Sequence, residues 1–183
     1  MTEAERRTVQ VLLIGGRSGA GKTSTAYEVS AQLQVLGMAH CHVEGDNLDA
    51  AYPKAADDPH GTKLTEANLA AMWTNYAATG HHRLIYVNTV SVLEPDLVVG
   101  AVGGRASVTS IVLTASDAEV HDRLAGREIG SELQLHLDRS RRSAEVLEQQ
   151  APAGTHRVST DGRSVAEVAA VIVGLLGWRD EHQ

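Results

Sequence analysis

At 183 residues the chain is long enough to bury a core of its own and too short for two ordinary domains, so a single domain over 1–183 is expected. Hydrophobic residues at 43% and charged residues at 21% exclude a disordered chain, and no apolar run approaches the roughly 18 residues of a membrane span. The 16 Lys+Arg against 23 Asp+Glu leave a net charge of −7, which argues against general nucleic-acid affinity and requires any anion site to be built locally. With Cys41 as the one cysteine, no internal disulfide forms, and the opening residues pair no basic stretch with an apolar one; the expected compartment is the cytoplasm, without a membrane partner.

After a polar start, residues 9–14 form a short β-branched apolar run that halts at Gly15-Gly16, the pattern of a buried strand. Ala26, Val29, Leu33 and Leu36 then recur at helical spacing, and Gly37 supplies the stop. Residues 40–43, 84–87, 110–113 and 155–158 are the next strand candidates, each followed by a helical pattern. Five strands alternating with helices predict an α/β fold, a parallel sheet covered on both faces. Three helix starts carry the capping-box spacing: Ser116 with Glu119, Ser131 with Gln134, and Ser164 with Glu167. Leu69, Met72, Trp73 and Tyr76 make one apolar stripe, and Leu133, Leu137, Ala144 and Leu147 another; both are expected to face the core. Residues 52–62, rich in turn formers, read as a loop.

The most specific signal is Gly16-Arg17-Ser18-Gly19-Ala20-Gly21-Lys22-Thr23, a complete G-x-x-x-x-G-K-T between a predicted strand and a predicted helix, with Ser24 following. Its glycines let consecutive backbone N–H groups turn inward toward phosphate oxygens, aided by the positive end of the helix. Lys22 is the residue type that reaches the β and γ phosphates, and Thr23 supplies a hydroxyl to Mg²⁺. ATP and Mg²⁺ are therefore expected ligands. No Asn-Lys-x-Asp guanine-reading motif is present, and the third strand runs into Asn88-Thr89 without a carboxylate. The acid lies instead after the second strand, in Glu44-Gly45-Asp46-Asn47-Leu48-Asp49.

With these two motifs the chain resembles the P-loop small-molecule kinases: adenylylsulfate kinase, gluconate kinase, the zeta-toxin type and the chloramphenicol phosphotransferase type. The resemblance runs from Val9 to the last helix. It implies a three-layer P-loop NTPase fold with strand order 2-3-1-4-5, and ATP- and Mg²⁺-dependent transfer of a phosphoryl group to a hydroxyl. It places Asp46 across from the γ-phosphate, activating the acceptor or holding the metal shell together with Thr23. It makes residues 123–135 a lid, with Arg123 near the adenine, Arg127 on the transferred group, and Gly126 and Gly130 as hinges. Gly162 and Arg163, between the last strand and last helix, fall where such kinases hold the adenine ring. The chain departs from the family at the acceptor: Asp49 stands where adenylylsulfate kinases carry an Arg, and no Arg occurs between Arg17 and Arg83. Bidentate phosphate recognition needs the arginine fork. The expected acceptor is therefore a small neutral or cationic alcohol, sugar or antibiotic-like molecule. A nucleotide-driven switch or resistance module without transfer, and a nucleotide kinase or zeta-like toxin, are the alternative readings. Asn88, Thr89 and Ser91 end the third strand on the ligand-binding edge of the sheet. Arg139, Arg141 and Arg142 read as a solvated helix face, and His40, His42, His81 and His82 lack the spacing of a zinc site.

Overall fold

The computed structural model describes residues 8–125 and 133–178. Its elements are β1 (Val9–Gly16), α1 (Lys22–Val35), β2 (Cys41–Glu44), α2 (Thr62–Ala78), β3 (Arg83–Val87), α3 (Pro95–Ala101), β4 (Ala106–Thr114), α4 (Asp117–Ala125), α5 (Leu133–Gln150), β5 (His156–Ser159) and α6 (Val165–Leu175). Short 3-10 turns follow β2 at Gly45–Asn47 and β3 at Ser91–Leu93. The five strands pair in parallel in the order β2-β3-β1-β4-β5, the order that the resemblance implies.

The central strand explains its own sequence. Leu12 and Ile14 point into one core with Val29 and Leu33 of α1 and Ile172 of α6, while Val11 and Leu13 point into the other with Leu69 and Trp73 of α2. All four strand residues are fully buried, so β1 reads as an unbroken apolar run and not as an alternation. Each such side chain contributes about 1.5–3 kcal/mol on removal from water. β1 pairs with β3 on one side and β4 on the other, where the chain reverses its direction across the sheet. The carboxyl ends of strands at that point form the crevice in which open α/β sheets bind ligands.

Local signals account for most boundaries. α1 ends as Gly37 turns to φ 71, with Gly37 N–H donating to Gln34 O and Met38 N–H to Leu33 O, and Met38 packs on the core beside Leu33. Ser164 and Glu167 form the expected reciprocal box at the start of α6. Ser116 accepts from Glu119 N–H at 3.3 Å at the start of α4, and Ser131 lies outside the described residues. Two elements differ from expectation. β4 begins at Ala106, four residues earlier than the apolar run, because Val9 to Leu13 hold its polar half, Ala106 to Ser110, in register. In the α5 stripe only Leu147 is buried, and Leu133, Leu137 and Ala144 are partly exposed; the stripe's buried middle position is Ser140.

Cys41 sits on β2 with its thiol donating to Arg83 O, and burial pushes that thiol up to about 12. The thiolate is the reactive form. Iodoacetamide at mildly alkaline pH is therefore expected to leave Cys41 unmodified in the folded protein and to label it in urea, with mass spectrometry as the readout.

Candidate phosphate-binding site and acceptor cavity

The loop from β1 to α1 is shaped by two glycines. Gly16 leaves the strand at φ 148, where a Cβ would lie 2.8 Å from Leu113 O. Gly21 caps α1 at φ 87 and offers no side chain, so no side-chain acceptor claims the first-turn amides of the helix. Those amides and the helix dipole together make an anion site. Arg17 O draws the loop closed, accepting from Ala20 N–H at 3.1 Å and from Lys22 Nζ at 3.4 Å. Ala20 is fully buried, whereas Ser18 and Ser24 are exposed. Burial pushes the Lys22 ammonium below its usual range, opposed by the charges of Asp46 and then Glu44.

Two carboxylates reach the same place from β2. Glu44 closes the strand, and the following turn carries Asp46. Gly45 between them is packed so closely that a Cβ would collide with the Tyr86 hydroxyl. Thr23 Oγ1 donates to Glu44 Oε2 at 3.5 Å, and His42 Nε2 lies 3.3 Å from Glu44 Oε1. Burial raises the Glu44 carboxyl, the charge of Asp46 raises it further, and Thr23 and Lys22 act in the opposite direction. The resemblance points to Asp46 as the metal-side acid, yet it is Glu44 that touches Thr23. One hydroxyl and two carboxylates are hard oxygen donors of the kind Mg²⁺ takes, so Thr23, Glu44 and Asp46 fit that ion.

Arg17 faces the other way. Its Nε donates to Ser140 Oγ at 2.8 Å, and its terminal nitrogen pairs with Asp117 at the start of α4. Ser140 Oγ in turn donates to Ser18 O at 2.7 Å. The second residue of the loop is thus a brace to α4 and α5, and Asp117, held below the usual carboxylate range mainly by Arg17, also meets Arg141 at 3.5 Å. Sequence reasoning missed Ser140, although a signal existed: 133, 137, 144 and 147 form an apolar stripe whose one skipped position is 140.

Arg123 on α4 crosses to the loop after β5. It donates to Gly19 O at 3.2 Å, to Thr160 Oγ1 at 3.0 Å and to Thr160 O at 3.4 Å, and pairs with Glu119 at 2.9 Å. Asp161 accepts the Ser116 N–H with both carboxylate oxygens. Gly162, at φ 64, and Arg163 continue this loop at the surface. Arg123 is therefore brought to the phosphate loop, and Gly162 and Arg163 follow the Thr160 that it holds. Arg127, Gly126 and Gly130 lie outside the described residues.

Beyond Asp46 a cavity of about 400 Å³ is lined by Asp46, Asp49, Thr62, Thr65, Asn88 and Glu94, among others. Asn88 therefore faces it; Thr89 O accepts the Gly16 N–H, and Ser91 is buried against β1. A second cavity, of about 290 Å³, lies between β4 and α5 and is lined by none of Lys22, Thr23, Glu44 or Asp46.

No family model matches the chain, and no curated protein matches it in sequence. Solved structures do match in shape. The tunicamycin resistance protein of Deinococcus radiodurans is 20% identical with a TM-score of 0.63, over 94% of this chain and 98% of that one. A gluconokinase from Sinorhizobium meliloti is 18% identical with a TM-score of 0.59, over 93% of each. The Mycobacterium tuberculosis APS kinase, solved with AMPPNP and APS, is 21% identical with a TM-score of 0.57, over 92% and 98%. The chain has the three-layer α/β fold of the P-loop kinases.

The brace generates a prediction. Arg17→Ala leaves the partners Ser140 and Asp117 without their donor, and is expected to lower stability by about 1–3 kcal/mol. It is also expected to weaken ATP binding, whereas Arg17→Lys restores only part of either. Urea unfolding and calorimetry with ATP read both effects.

Proposed function

We propose that the chain is a P-loop kinase, transferring the γ-phosphoryl of ATP, with Mg²⁺, to a hydroxyl of a small non-nucleotide acceptor. The observation that carries this reading is the meeting of Lys22, Thr23, Glu44 and Asp46 at the carboxyl edge of the sheet, with a separate cavity opening beyond Asp46. A phosphate loop alone would serve a switch as well; an acceptor-sized cavity sharing Asp46 favours transfer. The solved structures of similar fold, a gluconokinase and an APS kinase among them, support the same class.

In this mechanism the loop amides and the first turn of α1 hold the phosphates, and Lys22 gives up its contact with Arg17 O to reach the β and γ oxygens. Thr23, Glu44 and Asp46 would hold Mg²⁺, which when bound neutralises phosphate charge. Asp46 lies between the phosphate loop and the cavity, so it orients the acceptor hydroxyl and accepts its proton. Arg123 secures the loop after β5, where the base is expected, to Gly19. Arg127 is proposed to complete the charge stabilisation from the lid. Because phosphoryl transfer asks little covalent work of the protein, positioning and electrostatics supply most of the rate.

Incubation with Mg·ATP and a fractionated small-metabolite and antibiotic extract, followed by mass spectrometry for products heavier by one phosphoryl group, tests the reading. Lys22→Ala is expected to abolish both ATP binding and product. Asp46→Asn is expected to reduce turnover by about 10²–10⁴-fold with much less effect on ATP affinity. ATP binding without any product across the panel would favour the switch.

A further inference from the structure

The acceptor cavity is acidic. Asp46, Asp49 and Glu94 line it together with His60, and no Lys or Arg does. Only Lys54 and Lys63 are basic between β2 and the end of α2. Lys63 is paired with Asp57 at 2.9 Å, and Lys54 binds Asp49 Oδ2 at 2.6 Å and the Asp49 carbonyl. Asp49 is thus neutralised from within, Asp46 belongs to the transfer machinery, and Glu94, at the start of α3, is left with a carboxylate that no cation among the described residues meets. That the three acids converge is visible at Tyr86: burial pushes its phenol up to about 12, and the charges of Glu94, Asp46 and Asp49 add to the rise against a hydrogen bond with Asn88.

A second observation points independently to a ligand. Thr65 of α2 is only 8% exposed and lines this cavity, yet its hydroxyl has no hydrogen-bond partner among the described residues. Thr74 on the same helix shows the ordinary alternative, donating back to Ala70 O at 2.8 Å. The Thr65 hydroxyl is thus open to the cavity, where a ligand hydroxyl or amine would supply its partner.

Resting on the kinase reading of this site, we infer that the acceptor is a hydroxylated cation, an amino sugar, aminocyclitol or amino alcohol. Its ammonium group is held by Glu94, and a neighbouring polar group is held by Thr65. The anionic side of the reaction already has its counter-charges in Lys22 and Mg²⁺, whereas an anionic acceptor would enter a cavity of like charge and find no arginine fork. A protonated amine reverses that sign. It lowers the repulsion among the three carboxylates as it binds, and it places its hydroxyl toward Asp46.

Matched probes test this: glucosamine and streptamine, their N-acetylated forms, and glucosamine 6-phosphate. Binding is measured by calorimetry in the presence of Mg·AMPPNP and turnover with Mg·ATP. The expected result is binding of the free amines, weakened by salt, with the N-acetylated and phosphorylated forms at least about tenfold weaker. Glu94→Gln is expected to raise Kd and KM for the amines about tenfold while leaving those of the N-acetylated forms unchanged; Thr65→Val, of nearly the same shape, is expected to weaken both. Circular dichroism of each variant guards against misfolding. Equal or tighter binding of the neutral or phosphorylated forms, no binding of either amine, or an unaltered preference in Glu94→Gln overturns the inference, and product formed from a neutral acceptor would then leave the kinase reading standing. Amine binding that depends on Glu94 without any product upholds the cation site and overturns the kinase reading instead.

Discussion

A loop that binds phosphate through its amides must keep those amides pointed inward and unclaimed, and must do so without the phosphate to organise it. The rest of the site depends on how this chain meets that constraint. Gly16 and Gly21 permit the turn, but permission is not rigidity, since glycine loses more backbone freedom on ordering than any other residue. The order is imposed from outside the loop. The buried Arg17 guanidinium ties it to Asp117 and Ser140, Ser140 ties the neighbouring carbonyl of Ser18, and Arg123 ties that of Gly19. The carbonyls of Ser18 and Gly19 are thus held by α5 and α4, while no side chain caps the first turn of α1.

That scaffold has a chemical consequence. The arginines fixed to the loop by described contacts are spent on structure, so in the proposed site Lys22 is the cation that would face the phosphates from the loop. Lys22 is held partly desolvated between the loop and two carboxylates, and its stem starts at the first residue of α1. A desolvated ammonium is a strong partner for phosphate because little water has to be removed when the phosphate arrives. The charges of Asp46 and Glu44 act against that desolvation, and the charge of Asp46 also raises the Glu44 carboxyl, a crowding that a divalent cation would relieve.

The fold was largely legible because its signals are local. The apolar run of β1, the glycine that ends α1 and the Ser164 box each act within a few residues, and each appears where the sequence places it. The phosphate loop was legible for the same reason. What escaped are contacts that span the chain: Arg17 to Ser140 across 123 positions, Arg123 to Thr160, Thr23 to Glu44. In a one-dimensional reading Arg17 is a variable position inside a motif and Ser140 a gap in an apolar stripe, and neither has a reason to be polar until the other is beside it. The polar half of β4 was hidden likewise, since its pairing is dictated by β1 and not by its own residues.

The division of labour between the two sides of the site follows from charge. On the loop side the proposed ligand is a triphosphate, whose shape is common to the whole fold class, so the residue types that would meet it are generic. On the far side, Asp46, Asp49 and Glu94 with Thr65 and Asn88 face a cavity that the loop does not dictate. Electrostatic complementarity discriminates partners mainly by penalising the wrong sign. In the proposed reaction, a wall that carries Glu94 beside Asp46 and no arginine would disfavour phosphate and sulfate esters by sign, and a cavity of about 400 Å³ would discriminate less by shape. In the proposed reaction, specificity would therefore reside in the segment from β2 to α3, and the phosphate loop would supply the chemistry that any acceptor admitted there shares.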